Sequence, residues 1–338
     1  MPHISLETRG LRTGSAAGAG THVAQLPPME MIPLLRGMGT WAPGLYSPET
    51  RQTGGSVSAR YCYSVFLRHL AFLAACGLPT RYDCVGELGP GDTIGTSLMA
   101  LLLGARRAEA LDVVRYANTA RNAHILGDLV ELLRQREPIP DAHEFPEVYP
   151  RLADYGFPSF LDDPRVDAAT DSGRAAAIRA ALAGEPGDFN IRYYVPWQEC
   201  WAKASPGADF IISQAALEHV EDIETVHRSL AAGLRIGGIV SHVVDFKSHN
   251  MTANWDGHLQ YGDLSWKIVK GRRPYLLNRR SPTDHLRAME ASGFEIVRTW
   301  RAIVAPTLSR SGLPTRFRDW SDEDRSTTVM VVVGRRIR

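Results

Sequence analysis

The chain reads as a doubly wound α/β protein, a mostly parallel sheet with helices on both faces. Two observations carry that reading. From residue 81 onward, strand-length apolar runs alternate with helix-length amphipathic runs, and the first strand empties into a Gly-rich turn that opens a helix. A third agrees with them: Asp209 to Ser213 is short and apolar, as a central parallel strand buried on both faces is.

The elements follow in order. Residues 1–25 are rich in Gly, Ala, Ser and Thr without periodicity and are expected to be a disordered tail. Residues 26–80 are expected to form a helical N-terminal cover. Within it Tyr61, Cys62, Val65, Phe66, Leu70 and Leu73 recur at helical spacing between Ser58 and Cys76, and Gly77 marks the stop. The remaining stretch, 81–338, is expected to be one domain. Arg81–Leu88 is a strand, Thr93–Leu103 a helix, Arg107–Val113 a second strand and Thr119–Gln135 a helix. Strand, turn, helix, strand at this length is a βαβ unit, which implies parallel pairing.

About 137–188 breaks the rhythm with prolines and acids around one Ala-rich helix near Gly173–Ala183, and reads as an insertion on the rim of the sheet. Phe189–Val195 and Asp209–Ser213 are strands, and a helix from Ile223 carries Val226 and Leu230 on one face. Gly237-Gly238 ends that connection before the strand Ile239–Val244, and about 246–280 is a second insertion. Ser281-Pro282-Thr283-Asp284 starts a helix with an N-cap Ser, Pro at the first position and an acid in the first turn. Phe294–Trp300 and Thr327–Val333 are the last strands.

Composition narrows the partners. Thirty-eight basic residues nearly balance 37 acidic ones, which argues against a nucleic-acid footprint. Four cysteines form no Cys-x-x-Cys pair and are expected to be reduced thiols. The most apolar helix, Val65 to Leu78, is broken by Arg68 and His69 and falls short of the roughly 20 residues a bilayer needs. No secretory apolar run opens the sequence, so a cytoplasmic protein without a membrane partner is expected.

The chemistry starts at Glu87-Leu88-Gly89-Pro90-Gly91. Glycines let the backbone turn sharply and approach a ligand, and the helix behind them offers unpaired N–H groups. A dinucleotide site wants Gly-x-Gly-x-x-Gly, but here the sixth position is Ile94 and the next glycine, Gly95, comes one residue late. Glu87 and Asp92 also put negative charge where a pyrophosphate would sit. An acid there suits a cationic group such as the α-ammonium of a methionine moiety, which favours S-adenosyl-L-methionine over NAD. Asp112, near the end of the next strand with Val113 after it, stands where a carboxylate accepts hydrogen bonds from ribose hydroxyls.

These stretches resemble the class I S-adenosylmethionine-dependent methyltransferases, as bacterial small-molecule members carry them. Glu87–Gly91 looks like that family's first motif, Leu111-Asp112 like its ribose-binding strand end, Asp209–Val220 like its fourth-strand motif and Leu234–Gly238 like the turn before its fifth strand. Ile236 stands where the family usually has Pro, and Pro196-Trp197-Gln198-Glu199 replaces an acid-containing adenine-side loop. The resemblance implies a Rossmann-like seven-stranded sheet with its last strand antiparallel. It also implies cofactor contacts from Glu87, Leu88, Gly89, Pro90, Gly91, Asp112, Val113, Ser213 and Gln214. The activity it implies is methyl transfer to a small molecule, with an oxygen nucleophile on a sugar or secondary-metabolite-like acceptor preferred because histidines are at hand.

Acceptors in a doubly wound sheet sit beyond the carboxyl ends of the strands. His219, after the fourth strand, and His242 and Asp245, in the fifth, are therefore the candidate catalytic groups, His242 and Asp245 facing opposite sides of the strand. The spacing of His242, Asp245 and His249 fits no standard ligand pattern, so no metal is expected. Lys267, Lys270, Arg272, Arg273, Arg279 and Arg280 put six positive charges in fourteen residues. They would be explained by an anionic acceptor, by a solvated face, or by pairing with the acidic first insertion. Two rival readings differ in kind. A nicotinamide-dependent oxidoreductase or epimerase would need phosphate-compatible surroundings at the glycine turn. A non-catalytic partner subunit would need that turn blocked.

Overall fold

The structure is a computed structural model and describes residues 29–42, 44, 56–117, 119–204 and 207–338. The expected tail, 1–25, lies outside the described residues. Two helices come first, α1 (Met31–Gly39) and α2 (Ala59–Ala75). The alternating region follows as β1 (Cys84–Leu88), α3 (Gly95–Leu102), β2 (Arg107–Leu111), α4 (Thr119–Arg134), α5 (Asp163–Ala169), α6 (Ser172–Leu182), β3 (Asn190–Tyr194), α7 (Trp197–Ala204) and β4 (Ala208–Gln214). Then come α8 (Ile223–Gly233), β5 (Leu234–Asp245), α9 (Asp263–Lys270), α10 (Pro282–Ala291), β6 (Phe294–Ile303), α11 (Thr315–Arg318), α12 (Asp322–Ser326) and β7 (Thr327–Arg336).

One seven-stranded sheet runs β3-β2-β1-β4-β5-β7-β6. Neighbours from β3 to β5 pair in parallel, and β7 runs antiparallel between β5 and β6. This is the doubly wound, mostly parallel arrangement the sequence predicts, with the last strand reversed. The switch point lies between β1 and β4, where the strand order turns, so the carboxyl ends of those strands open the crevice that holds ligands in such sheets.

The two faces are covered differently. Helix α2 packs on α3 and α4 over one face. Its Ser58 caps the start by accepting from the Tyr61 N–H, and Leu67, Leu70 and Leu73 are fully buried. Each such leucine contributes about 1.5–3 kcal/mol. The other face is covered by α7, α8 and α10, around Trp197, Trp201, Leu230 and Met289.

Three expectations are corrected. The first insertion is no rim decoration. It holds two helices rather than one, and Ile139, Leu161, Val166, Ala169 and Ile178 join the core beneath α3 and α4. Arg165 and Arg174 donate to the carbonyls of Leu101, Leu103 and Ala105 at the end of α3, satisfying groups a helix terminus leaves unpaired. Gly237-Gly238 is not a turn before a strand but part of β5. Between the pairs Ala208–Leu234 and Phe210–Ile239 the strand bulges outward, and Gly237 takes φ +77° to allow it. Pro196–Glu199 opens the helix α7, which Trp201 locks by donating from Nε1 to Glu109 Oε2 at 2.6 Å. No described helix is long and apolar enough to cross a membrane.

Candidate active site

At the carboxyl end of β1 the chain turns through Gly89 and Gly91, at φ +72° and +73°. A Cβ on Gly89 would stand 2.7 Å from the Cβ of Ala216, beyond β4, so that position admits only glycine. Gly95, the late glycine, serves packing instead: a Cβ there would strike Cys62 of α2. The turn is fastened from above by Ser56, whose Oγ donates to Pro90 O at 2.7 Å and accepts from Thr93 N at 3.0 Å. Asn122 of α4 holds its far side, accepting from Ile94 N at 3.0 Å.

Glu87 is buried, and one carboxylate oxygen accepts from both the N–H (3.0 Å) and the hydroxyl (2.6 Å) of Ser97 in the first turn of α3. Burial pushes its carboxyl up to about 7, against the pull of the Ser97 and Thr96 bonds, with the neighbouring Asp112 charge adding to the rise. The acid foreseen as the ammonium partner therefore also anchors the helix behind the turn. Asp112 ends β2 and accepts from Val113 N at 2.7 Å, from the Tyr193 hydroxyl at 3.4 Å and from the Gly91 backbone. Its carboxyl is also raised, by burial first. The two acids thus flank one glycine turn. Leu88 belongs to the core on the α7–α8 face, and Val113 packs beside it.

Ser213 and Gln214 divide. Gln214 is half-buried at the end of β4, whereas the Ser213 side chain is fully buried and bonded to His242 Nδ1 at 2.8 Å. The role of the Ser213 hydroxyl toward a cofactor is corrected accordingly. His242 is corrected with it. Register pairs it with Ser213 and Val332 on the α8–α10 face, where it is 0% exposed and its ring centroid lies 5.8 Å from that of His227. Burial holds it well below the usual histidine range. A group sealed under the sheet has no route to an acceptor, so His242 is a core residue.

His219 and Asp245 lie near each other past the strand ends, with His249, grouped with Asp245 in the sequence, and Glu218, which was not, beside them. His219 closes a 3-10 turn, Leu217–His219, after β4, and its ring meets that of His249 at 5.1 Å. His249 Nε2 lies 3.6 Å from Asp245 Oδ2 and 3.8 Å from Glu218 Oε1. Burial and the facing His249 lower His219 to about 4. Burial would raise Asp245, but His249 and Lys247 outweigh it and hold it below the usual carboxylate range. Ala215, His249, Asn250, Tyr275 and Arg279 all take positive φ around this cluster, a concentration of strained backbone seen where side chains are held for function. Burial first, then the charges of Cys62, Glu87 and Glu218, push the Tyr61 hydroxyl up to about 12.

Glu218 is the residue the sequence reading passed over. The available signal was an acid beside His219 in an otherwise apolar run just past a strand end. Three of the six basic groups pair separately: Lys270 with Glu221, Arg280 with Glu224, and Arg279 buried against Trp266 with Asp263 at 3.3 Å. Those partners stand on the β4–α8 connection, on α8 and on α9, not on the first insertion. A cleft of about 460 Å³ lies between the start of α2 and α4, lined by Arg60, Arg121, His124 and Asp128, and includes none of the cofactor residues foreseen.

No family model matches the chain, and no curated protein matches it. Among solved structures it is similar to an S-adenosylmethionine-dependent methyltransferase from Mesorhizobium loti, at 16% identity over 79% of this chain and 98% of that one, TM-score 0.39. It is also similar to the N-methyltransferase NodS from Bradyrhizobium japonicum, at 11% identity over 82% and 94%, TM-score 0.36. A third likeness is to a SAM-dependent methyltransferase from Methanosarcina mazei, at 11% identity over 78% and 97%, TM-score 0.39.

Proposed function

We propose that the chain is an S-adenosyl-L-methionine-dependent methyltransferase acting on a small molecule through an oxygen nucleophile. The observation that carries this reading is the glycine turn between two buried acids. Gly89 and Gly91 make room for a ligand at the switch point, while Glu87 and Asp112 oppose a diphosphate there and favour a cationic amino acid joined to a ribose. Bound in that crevice, S-adenosyl-L-methionine supplies a sulfonium methyl group, already a good electrophile.

Glu87 contributes its charge and the placement of α3, Asp112 its carboxylate to the ribose side, and Gln214 the edge near β4. Ser56 fastens the turn from above. Beyond β4 and β5, His219, Asp245, His249 and Glu218 face the acceptor side. They align its oxygen and give the departing proton a place to go.

The test is a binding titration followed by product detection. The purified chain should bind S-adenosyl-L-methionine and S-adenosylhomocysteine, and release the latter with a pool of hydroxylated acceptors. Binding of NAD(H) with no affinity for either sulfur nucleoside would overturn the reading.

A further inference from the structure

Side chains from two distant stretches converge past the ends of β4 and β5. The potential ligand atoms of Glu218, His219 and His249 lie within 4.8 Å of one another. Asp245 stands beside them, 3.6 Å from His249 Nε2. Glu218 is 2% exposed, and no side-chain donor pairs its carboxylate; only backbone N–H groups, its own and that of Asp245, lie toward it. A backbone hydrogen bond at Tyr275 holds the His219 ring, whose Nδ1 is buried and without a partner. A cavity of about 20 Å³, room for one water, opens against Glu218 and Asp245; Arg279, Arg280 and Arg325 line it and neither His219 nor His249 does.

A buried carboxylate without a side-chain donor is costly, and its closeness to two imidazoles, one with a vacant buried Nδ1, asks for a shared partner. Lys247, the nearby ammonium, is engaged by Glu147 at 3.0 Å and Asp245 at 3.5 Å. We propose that Glu218, His219 and His249 bind a divalent transition-metal cation, with Asp245 as an adjacent carboxylate. Two imidazoles and a carboxylate are a donor set for Zn²⁺, Co²⁺, Mn²⁺ or Fe²⁺. An ion about 2.1 Å from each ligand draws the donor atoms in by about an ångström, within reach of the half-buried His249 ring. The Tyr275 bond to His219 is the kind of outer support that fixes a ligating imidazole. The site stands whichever nucleoside the glycine turn holds. Its use, polarising an acceptor oxygen, rests on the methyltransferase reading.

The full chain, purified without a histidine tag and dialysed against a chelator, is titrated with Co²⁺ by visible absorption and with Zn²⁺ by calorimetry, no nucleoside being present. One ion per chain is expected, and His249→Ala and Glu218→Gln should each weaken binding by about 100-fold. His124→Ala on α4, where His124 pairs with Asp128, should not change it. Absence of saturable binding to the native chain overturns the proposal, as does unchanged binding in His249→Ala, a change at a partly exposed ring that circular dichroism will verify as folded. If S-adenosyl-L-methionine fails to bind while Co²⁺ binds, the functional reading falls and the metal site stands.

Discussion

Two groups of histidines interleave along the sequence and lead opposite lives. His242 of β5, with His227 of α8 and His285 of α10, is sealed beneath the sheet. His219 and His249 stand at the strand ends, facing Glu218 and Asp245. The residue type is the same and so is the burial-driven loss of positive charge at His219, His227 and His285. What differs is company: the first group is walled by apolar side chains such as Phe294 and Phe246, the second by carboxylates. A histidine near an active strand is therefore read by the face it takes, and that is set by strand alternation.

The largest test of this contrast is acid. Burial lowers His69 and His285 to about 3 and His227 to about 4, whereas unfolded imidazoles take up protons near 6.5. Between those values the unfolded chain binds more protons. Stability is then complete above about 6.5 and is lost as the pH falls toward 4, by about 4 kcal/mol per pH unit at its steepest for the three groups together. Denaturant unfolding from pH 7 to 4.5 measures it, and a flat profile would place these rings in contact with water.

Next comes a pair of substitutions that should separate the regions. Asp245→Asn should lower kcat by roughly 100-fold or more while leaving cofactor affinity and melting temperature near native values. His242→Ala should do the reverse, costing about 2–4 kcal/mol of stability through a core cavity and a stranded Ser213 hydroxyl, with kcat per folded molecule retained. Equal loss of turnover in both would erase the distinction.

Smaller effects belong to the cofactor side. Gly89→Ala should cost about 1–3 kcal/mol, from positive φ and the approach to Ala216, and weaken S-adenosyl-L-methionine binding. Asp112→Asn should weaken it by about 1–3 kcal/mol with the fold intact. The Glu87 carboxyl sits near 7, so its negative charge is present above that pH and lost below it. Affinity for the sulfonium cofactor should fall up to about tenfold per pH unit below 7, and calorimetry in matched buffers reads it.

Much of the sheet was legible because strand runs, Gly89, Gly91 and the Ser281 N-cap are local signals. The opposite facing of His242 and Asp245 was legible too, from alternation alone. The destination of each face was not, because it depends on where α8 and α10 pack. The 137–188 segment was misread for the same reason: its apolar residues are scattered among prolines and acids, and only tertiary packing collects Leu161, Val166 and Ile178 under α3. Glu218 and His249 lie too far apart in sequence for any spacing rule to join them.

Strand order has one last consequence. β6 touches the sheet only through β7, yet β7 is made after it. On the ribosome, β6 therefore emerges with no partner waiting, and β5 keeps an unzipped edge until Thr327–Arg336 arrives to fill the gap. A message cut short before that codon would yield a polypeptide with two long sticky edges, fated for aggregates or proteolysis rather than for a weakened catalyst.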